Sequence, residues 1–172
     1  MHWKETFKVQ APPAFVYEWM TTPTPEDPAY TRGLKSRKIT EKWKLQYTTQ
    51  DEGTLAGLSY SSKAVLRKYP PRRWRLEEEA GAFYHRTEFA ISDTPEGCDL
   101  SVDMEIIVRG WRRLREKAFR RKLSEDFRER IVGWVAKLEE EAKALPAEAA
   151  KPGAPEKKKV ERPIEIPKQY GS

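Results

Sequence analysis

The sequence predicts an α+β fold in which a curved antiparallel sheet wraps around one long C-terminal helix. Three observations predict it. Near the C-terminal end, Phe119, Leu123, Phe127, Ile131, Trp134, Leu138 and Leu145 recur at helical spacing and fall within one stripe about 140° wide. Between residues 34 and 109 the apolar period changes to two, and short turn signals interrupt it. Finally, a helix over about 113–145 is roughly 50 Å long, so it needs a broad apolar surface to lie on.

Taken in order, residues 2–10 alternate as a strand with Trp3, Phe7 and Val9 on one face. Ala11-Pro12-Pro13 ends it and opens a helix over about 13–21, because proline suits a first helical turn. Phe15, Val16, Trp19 and Met20 mark that helix's apolar side. Pro23, Pro25 and Pro28 break the chain, leaving room for a short helical turn near 26–31. From Leu34 alternation begins, placing Trp43, Leu45 and Tyr47 on one face and Lys42, Lys44 and Gln46 on the other. Asp51-Glu52-Gly53 reads as a turn, followed by Leu58, Tyr60, Ser62, Ala64 and Leu66 on one face. Pro70-Pro71 stops that strand, Trp74 and Leu76 begin the next, and Ala80-Gly81 turns into Phe83, His85, Thr87, Phe89 and Ile91. After Thr94-Pro95-Glu96-Gly97, Leu100, Val102, Met104, Ile106 and Val108 form the most regular strand. Short turns and one-sided alternation predict an antiparallel meander with one face buried.

Composition narrows the classes. No apolar run approaches 18 residues, so a membrane-spanning helix is excluded, and the start Met1-His2-Trp3-Lys4-Glu5 lacks a signal peptide's apolar core. One cysteine, Cys98, allows no internal disulfide and suits a reducing cytoplasm. With only His2 and His85 beside it, no metal or other cofactor is expected. The net charge of +6 is local: residues 1–110 are neutral, while residues 111–130 carry nine basic and four acidic side chains. Residues 146–172, with Pro146, Pro152, Pro155, Pro163, Pro167 and the run Lys157-Lys158-Lys159, read as a solvated tail outside a domain of residues 1–145. Val160, Ile164, Ile166 and Tyr170 leave a second reading open, a short strand that docks on the domain or on a protein partner.

Phe7-Lys-Val-Gln-Ala-Pro-Pro-Ala-Phe-Val-Tyr-Glu-Trp-Met20 resembles the opening of the START-like, or SRPBCC, superfamily. Tyr69-Pro-Pro-Arg-Arg-Trp74 resembles the proline-punctuated end of that superfamily's fourth strand, and Gly97-Cys-Asp-Leu-Ser-Val102 its last-strand entry. The resemblance covers about residues 3–145 and implies the helix-grip fold: seven antiparallel strands, two short helices between the first and second, and a long closing helix. The superfamily holds lipid-transfer proteins and polyketide cyclases alike, so the resemblance is specific for fold and not for activity.

Such a fold implies a cavity between sheet and helix. Strand parity predicts its lining as Trp43, Tyr47, Tyr60, Trp74, Phe83, His85, Thr87, Phe89, Met104 and Ile106, with Phe127, Ile131 and Trp134 from the helix. Large aromatics with a few hydroxyls suit a hydrophobic small molecule or lipid; the same side chains also suffice to fill the space. His85 is the candidate general base, although a lone inward histidine is more often a satisfied core residue. Glu78, inward beside Trp74 and Leu76, is placed to orient it or to act as an acid, but its position near a strand end predicts a solvated carboxylate. No Ser/His/Asp order, glycine-rich phosphate loop or diagnostic carboxylate pair is present. Arg112, Arg113, Arg115, Lys117, Arg120, Arg121 and Lys122 form a separate basic surface at the helix start, suited to an anionic membrane or to RNA at the ribosome, or simply to solvent. The leading expectation is non-catalytic binding or transport of a hydrophobic ligand in the cytoplasm. A cyclase or dehydratase and an RNA, ribosome or protein adaptor are the alternatives.

Overall fold

The computed structural model describes residues 2–109 and 116–145. Strand β1 (His2–Val9) leads through helix α1 (Pro13–Met20) and a single 3₁₀ turn (Asp27–Ala29) into a meander. The meander comprises β2 (Leu34–Trp43), β3 (Gln46–Leu55), β4 (Leu58–Tyr69), β5 (Arg73–Ala80), β6 (Phe83–Thr94) and β7 (Gly97–Val108). Helix α2 (Glu116–Ala142) follows the meander. All neighbouring strands are antiparallel in the order β1-β7-β6-β5-β4-β3-β2, so α1 and the 3₁₀ turn carry the chain from one sheet edge to the other. The second of the two short helices expected between β1 and β2 is this three-residue turn.

Alternation dictates the sheet's inner face. Phe83, His85, Thr87, Phe89 and Ile91 of β6 are all buried, as are Cys98, Leu100, Val102, Met104, Ile106 and Val108 of β7. Helix α2 lays its predicted stripe on them: Leu123, Phe127, Ile131 and Leu138 are buried. Burying each such side chain contributes about 1.5–3 kcal/mol. Polar contacts at the helix's edges fix its position. Arg128 pairs with Glu5 of β1 at 2.8 Å, Asp126 accepts the Ala56 amide at 2.6 Å, and Trp19 of α1 donates to Glu141 at 2.8 Å.

Two sequence expectations fail locally. Residues 43–47 are not one strand: the chain reverses at Lys44-Leu45, pairing Trp43 with Gln46 and Lys42 with Tyr47. Gly53 is not in a turn but inside β3, where a Cβ would lie 2.1 Å from the Gly33 carbonyl oxygen. That close approach is what requires glycine there. The turn itself is Ala56-Gly57, with φ of 51° and 78°.

The core is split. One apolar cluster gathers around Val16, Tyr17, Trp74, Phe89 and Leu138, beside α1. A second gathers around Leu55, Phe83, Ile106, Leu123 and Phe127, at the other end. Between them the inner wall turns polar.

Candidate functional site

The polar seam is built from the inner faces of five strands and α2. Glu78 of β5 and His85 of β6 are direct cross-strand partners, so their side chains meet on the inner face. Ser62 Oγ donates to Glu78 Oε1 at 2.6 Å, and His85 Nε2 lies 2.8 Å from Glu78 Oε2. A carboxylate only accepts, so Nε2 carries the hydrogen, leaving Nδ1 3.2 Å from the Thr87 hydroxyl. Burial alone would raise the Glu78 pKa. The hydrogen bond and charge of His85, with help from Arg130 and Ser62, instead bring it down to about 2. His85 is 1% exposed and stacks edge-on against Phe127, with ring centroids 4.5 Å apart.

A second group stands at the β2–β3 side. Arg37 and Asp51 face each other across β2 and β3. Arg37 Nε donates to Asp51 Oδ1 at 3.0 Å, its Nη2 donates to Oδ2 at 2.5 Å, and Nη1 binds Asp27 in the 3₁₀ turn. Burial opposes the guanidinium charge, but the two carboxylates outweigh it and raise the Arg37 pKa. Asp27 also accepts from Thr24 Oγ1 at 2.7 Å and from the Tyr30 hydroxyl.

Arg130 differs from Arg37. It is 5% exposed, yet no carboxylate among the described residues is ion-paired with it. Its Nε donates to the Arg32 carbonyl at 2.8 Å and its Nη2 to the Tyr60 hydroxyl at 2.9 Å. The guanidinium lies 5.5 Å from the ring centroids of both Tyr60 and Phe127. Burial, foremost, and repulsion by Glu78 push the Tyr60 phenol up to about 12 despite Arg130.

These groups border a cavity in two chambers. The outer chamber, about 50 Å³, is walled by Leu66, Trp74, Leu76 and Phe89 and reaches the surface beside Trp19, Met20 and Thr22. The inner chamber, about 20 Å³, is bordered by Asp51, Glu78, His85, Thr87 and Arg130, with Met104, Phe127 and Ile131 beside them. Both share Arg37, Ala64, Leu76, Phe89 and Trp134. Its indole Nε1 donates to the Thr31 hydroxyl at 2.8 Å. At roughly 10–15 Å³ of probe space per water, the outer chamber holds a few waters and the inner one about one.

Of the residues predicted to line the cavity, Trp74, His85, Thr87, Phe89, Met104, Phe127, Ile131 and Trp134 do so. Trp43 does not. It is 66% exposed, because the reversal at Lys44-Leu45 inverts the parity that had aimed it inward. Tyr47, Phe83 and Ile106 are buried in the core outside both chambers, and Tyr60 stands behind Arg130. Arg112, Arg113, Arg115 and the tail of residues 146–172 lie outside the described residues. Within α2, Arg121 is exposed and pairs with Glu125 at 3.6 Å, whereas Arg120 is half-buried. Sequence reasoning missed Asp27, Arg37, Asp51 and Arg130. Arg130 had a signal: it falls inside the Phe127–Trp134 stripe, where a charge is out of place.

No family model matches the chain, and no curated protein matches it. Solved structures do. The Zhui aromatase/cyclase from Streptomyces sp. R1128 superposes with a TM-score of 0.71 at 12% identity, covering 81% of this chain and 93% of that one. A START superfamily protein from Mycobacterium smegmatis gives 0.65 at 16% identity over 84% and 99%. Ara h 8.0201 gives 0.64 at 11% identity over 84% and 99%. The chain has the START-like helix-grip fold. Within that START-like fold, the enclosed cavity lies where sheet and closing helix face each other, and this chain lines it with both aromatic rings and buried charges. Among the described residues no cluster of three His, Cys, Asp or Glu side chains is arranged to hold a metal, and no helix is long and apolar enough to cross a membrane.

Proposed function

We propose that the protein binds a hydrophobic small molecule or lipid in this cavity without transforming it, and that the ligand is amphipathic. The observation that carries this reading is the division of the walls. The chamber that reaches the surface is aromatic and aliphatic, while the inner one collects Glu78, His85, Arg130 and Asp51. A core built only to be filled has no use for five buried acidic, basic and histidine side chains, whose desolvation costs several kcal/mol each before pairing offsets it. The apolar body of the ligand lies between Trp74, Phe89 and Trp134, and its oxygen-bearing end meets Arg130, the buried cation that has no carboxylate of its own.

Ligand pockets typically measure about 300–1,000 Å³, so the walls must part. Trp134 is the side chain that does so. It borders both chambers and one hydrogen bond, to Thr31, holds its polar edge. Its rotation merges the two spaces.

A second reading, cyclase- or dehydratase-like catalysis, is favoured by the Glu78–His85 pair, which borders the inner chamber with the His85 Nδ1 on the Thr87 hydroxyl. The aromatase/cyclase neighbour accords with it, but at 12% identity that likeness extends to the fold alone.

The test is titration with a fluorescent fatty acid. Ala64 is buried and borders both chambers. Ala64→Phe should abolish uptake, with melting checked because overpacking costs about 1–3 kcal/mol. Trp134→Ala should retain or strengthen uptake by widening the passage. Absence of uptake by the unsubstituted protein, or uptake unaffected by Ala64→Phe, would overturn the proposal.

A further inference from the structure

At the end of the sheet beside α1, two turns come together to form a surface that the interior site does not use. The Lys68 amide donates to the Leu45 carbonyl at 2.8 Å, which clasps the β2–β3 turn to the end of β4. Residues 42–45 and 67–73 together contain Lys42, Lys44, Arg67, Lys68, Arg72 and Arg73 and no acidic residue, although residues 1–110 as a whole are neutral. From this basic end project Trp43, 66% exposed, Leu45 at 47% and Tyr69 at 39%. These are three of the five large exposed apolar side chains among the described residues.

Register shows how they are displayed. Trp43 is opposite Gln46, which is opposite Arg67, so Trp43 lies on the sheet's outer face. Tyr69, two residues after Arg67, shares that face, with the Arg75 guanidinium 5.8 Å from its ring centroid. Leu45 sits at the apex of the turn. Among the described residues no carboxylate is ion-paired with Lys42, Lys44 or Arg73, although Lys42 Nζ lies 5.7 Å from the Tyr47 ring centroid, whereas Arg67, Lys68 and Arg72 pair with Glu77, Glu18 and Asp93. Glu41 is the nearest further acid in sequence, and its carboxylate accepts from the Thr48 hydroxyl.

We propose that this end of the sheet, Trp43 and Leu45 flanked by Lys42, Lys44 and Arg73, docks on an anionic membrane surface. Two features select that occupant. A tryptophan and a leucine at a turn apex both gain by entering a bilayer interface, and the indole N–H stays hydrated there. An aliphatic apex contributes nothing to stacking on nucleic-acid bases, which use ring faces. Lys42, Lys44 and Arg73 then meet lipid phosphates and carboxylates, with their stems lying along the apolar boundary. Lys68 ties this end to the cavity mouth: it pairs with Glu18 of α1 at 3.6 Å and stands opposite Trp74, which walls the outer chamber. Docking would therefore bring the mouth to the lipid surface. The docking surface itself does not depend on what the cavity holds.

The experiment is co-sedimentation of the full chain with vesicles of phosphatidylcholine, alone or with about 30 mol % phosphatidylserine. Binding is expected only to the anionic vesicles and should weaken with salt. Each cation near the surface adds about fivefold to binding. Lys42→Glu with Lys44→Glu should therefore weaken it at least tenfold, and Trp43→Ala with Leu45→Ser by a comparable factor. Melting temperatures should stay unchanged, since all four side chains are exposed. Arg121→Glu with Lys122→Glu, on the exposed part of the α2 basic segment, should leave binding intact. The proposal falls if anionic vesicles are not bound, or if the tip variants bind like the unsubstituted protein. It also falls if the tip residues govern binding to single-stranded RNA and not to vesicles.

Discussion

Replacing Arg37 with methionine removes the cation that two buried carboxylates share. The side chains of Arg37, Asp27 and Asp51 are 13%, 8% and 3% exposed, so little solvent is available to replace it. The loss falls unequally. Asp27 keeps the Thr24 hydroxyl and amide, at 2.7 Å and 3.2 Å, together with the Tyr30 hydroxyl. Asp51 has no other hydrogen-bond partner among the described residues, so it is the group left stranded. Removing one partner of a buried pair costs about 3–5 kcal/mol. At about 2–4 °C per kcal/mol for a domain of this size, Arg37→Met should lower Tm by roughly 6–20 °C. Urea denaturation followed by tryptophan fluorescence at neutral pH gives the free energy directly. Arg37→Met with Asp51→Leu should recover at least about half of the loss, because the stranded charge is gone. A cost under about 1 kcal/mol, or a double variant no more stable than the single one, would refute the reasoning and place the cluster in contact with water.

Two further outcomes follow from the seam and the stripe. Glu78 has a pKa of about 2 in the fold against 4.5 ordinarily, so its stabilisation is complete above pH 4.5 and is lost as pH falls toward 2. That difference amounts to on the order of 3 kcal/mol, and Glu78→Gln should flatten the acid limb of stability measured by urea midpoints against pH. On α2, Leu138→Ala should cost about 2–5 kcal/mol, whereas Lys137→Ala, on the neighbouring surface, should cost under about 0.5 kcal/mol by the same measurement.

The parts of the fold legible in the sequence were those where one physical signal dominates. From Phe83 to Ile91 of β6 and from Cys98 to Val108 of β7 every inward side chain is buried, and the turns carry Gly or Pro, so parity and boundaries agreed. The stripe of α2 was legible because Leu123, Phe127, Ile131 and Leu138 have no competing period. The β2–β3 turn was not, because Lys44-Leu45 contains none of the residues that usually mark a reversal. Missing it sent Trp43 inward on paper and concealed the exposed tip. Gly53 was misread for the opposite reason: a glycine serving a close backbone approach in β3 looks in sequence like a turn glycine. The seam was only half visible. Strand parity placed His85 and Glu78 on the inner face, but Glu78, expected in solvent near its strand end, is buried against His85 and Ser62. Asp27, Arg37 and Asp51 meet across a proline-broken segment and a strand pairing that no local pattern encodes.

The central claim, an amphipathic ligand held with its polar end at Arg130, is tested most directly by comparing dissociation constants for a long-chain acid and its methyl ester. Hydrogen bonds to charged groups contribute about 1.5–3 kcal/mol, so the unsubstituted protein should prefer the acid by at least about tenfold. In Arg130→Met that preference should fall below about threefold while the ester still binds, which shows that the cavity remains. Equal affinity of the unsubstituted protein for acid and ester, or a preference that survives Arg130→Met, would contradict the account.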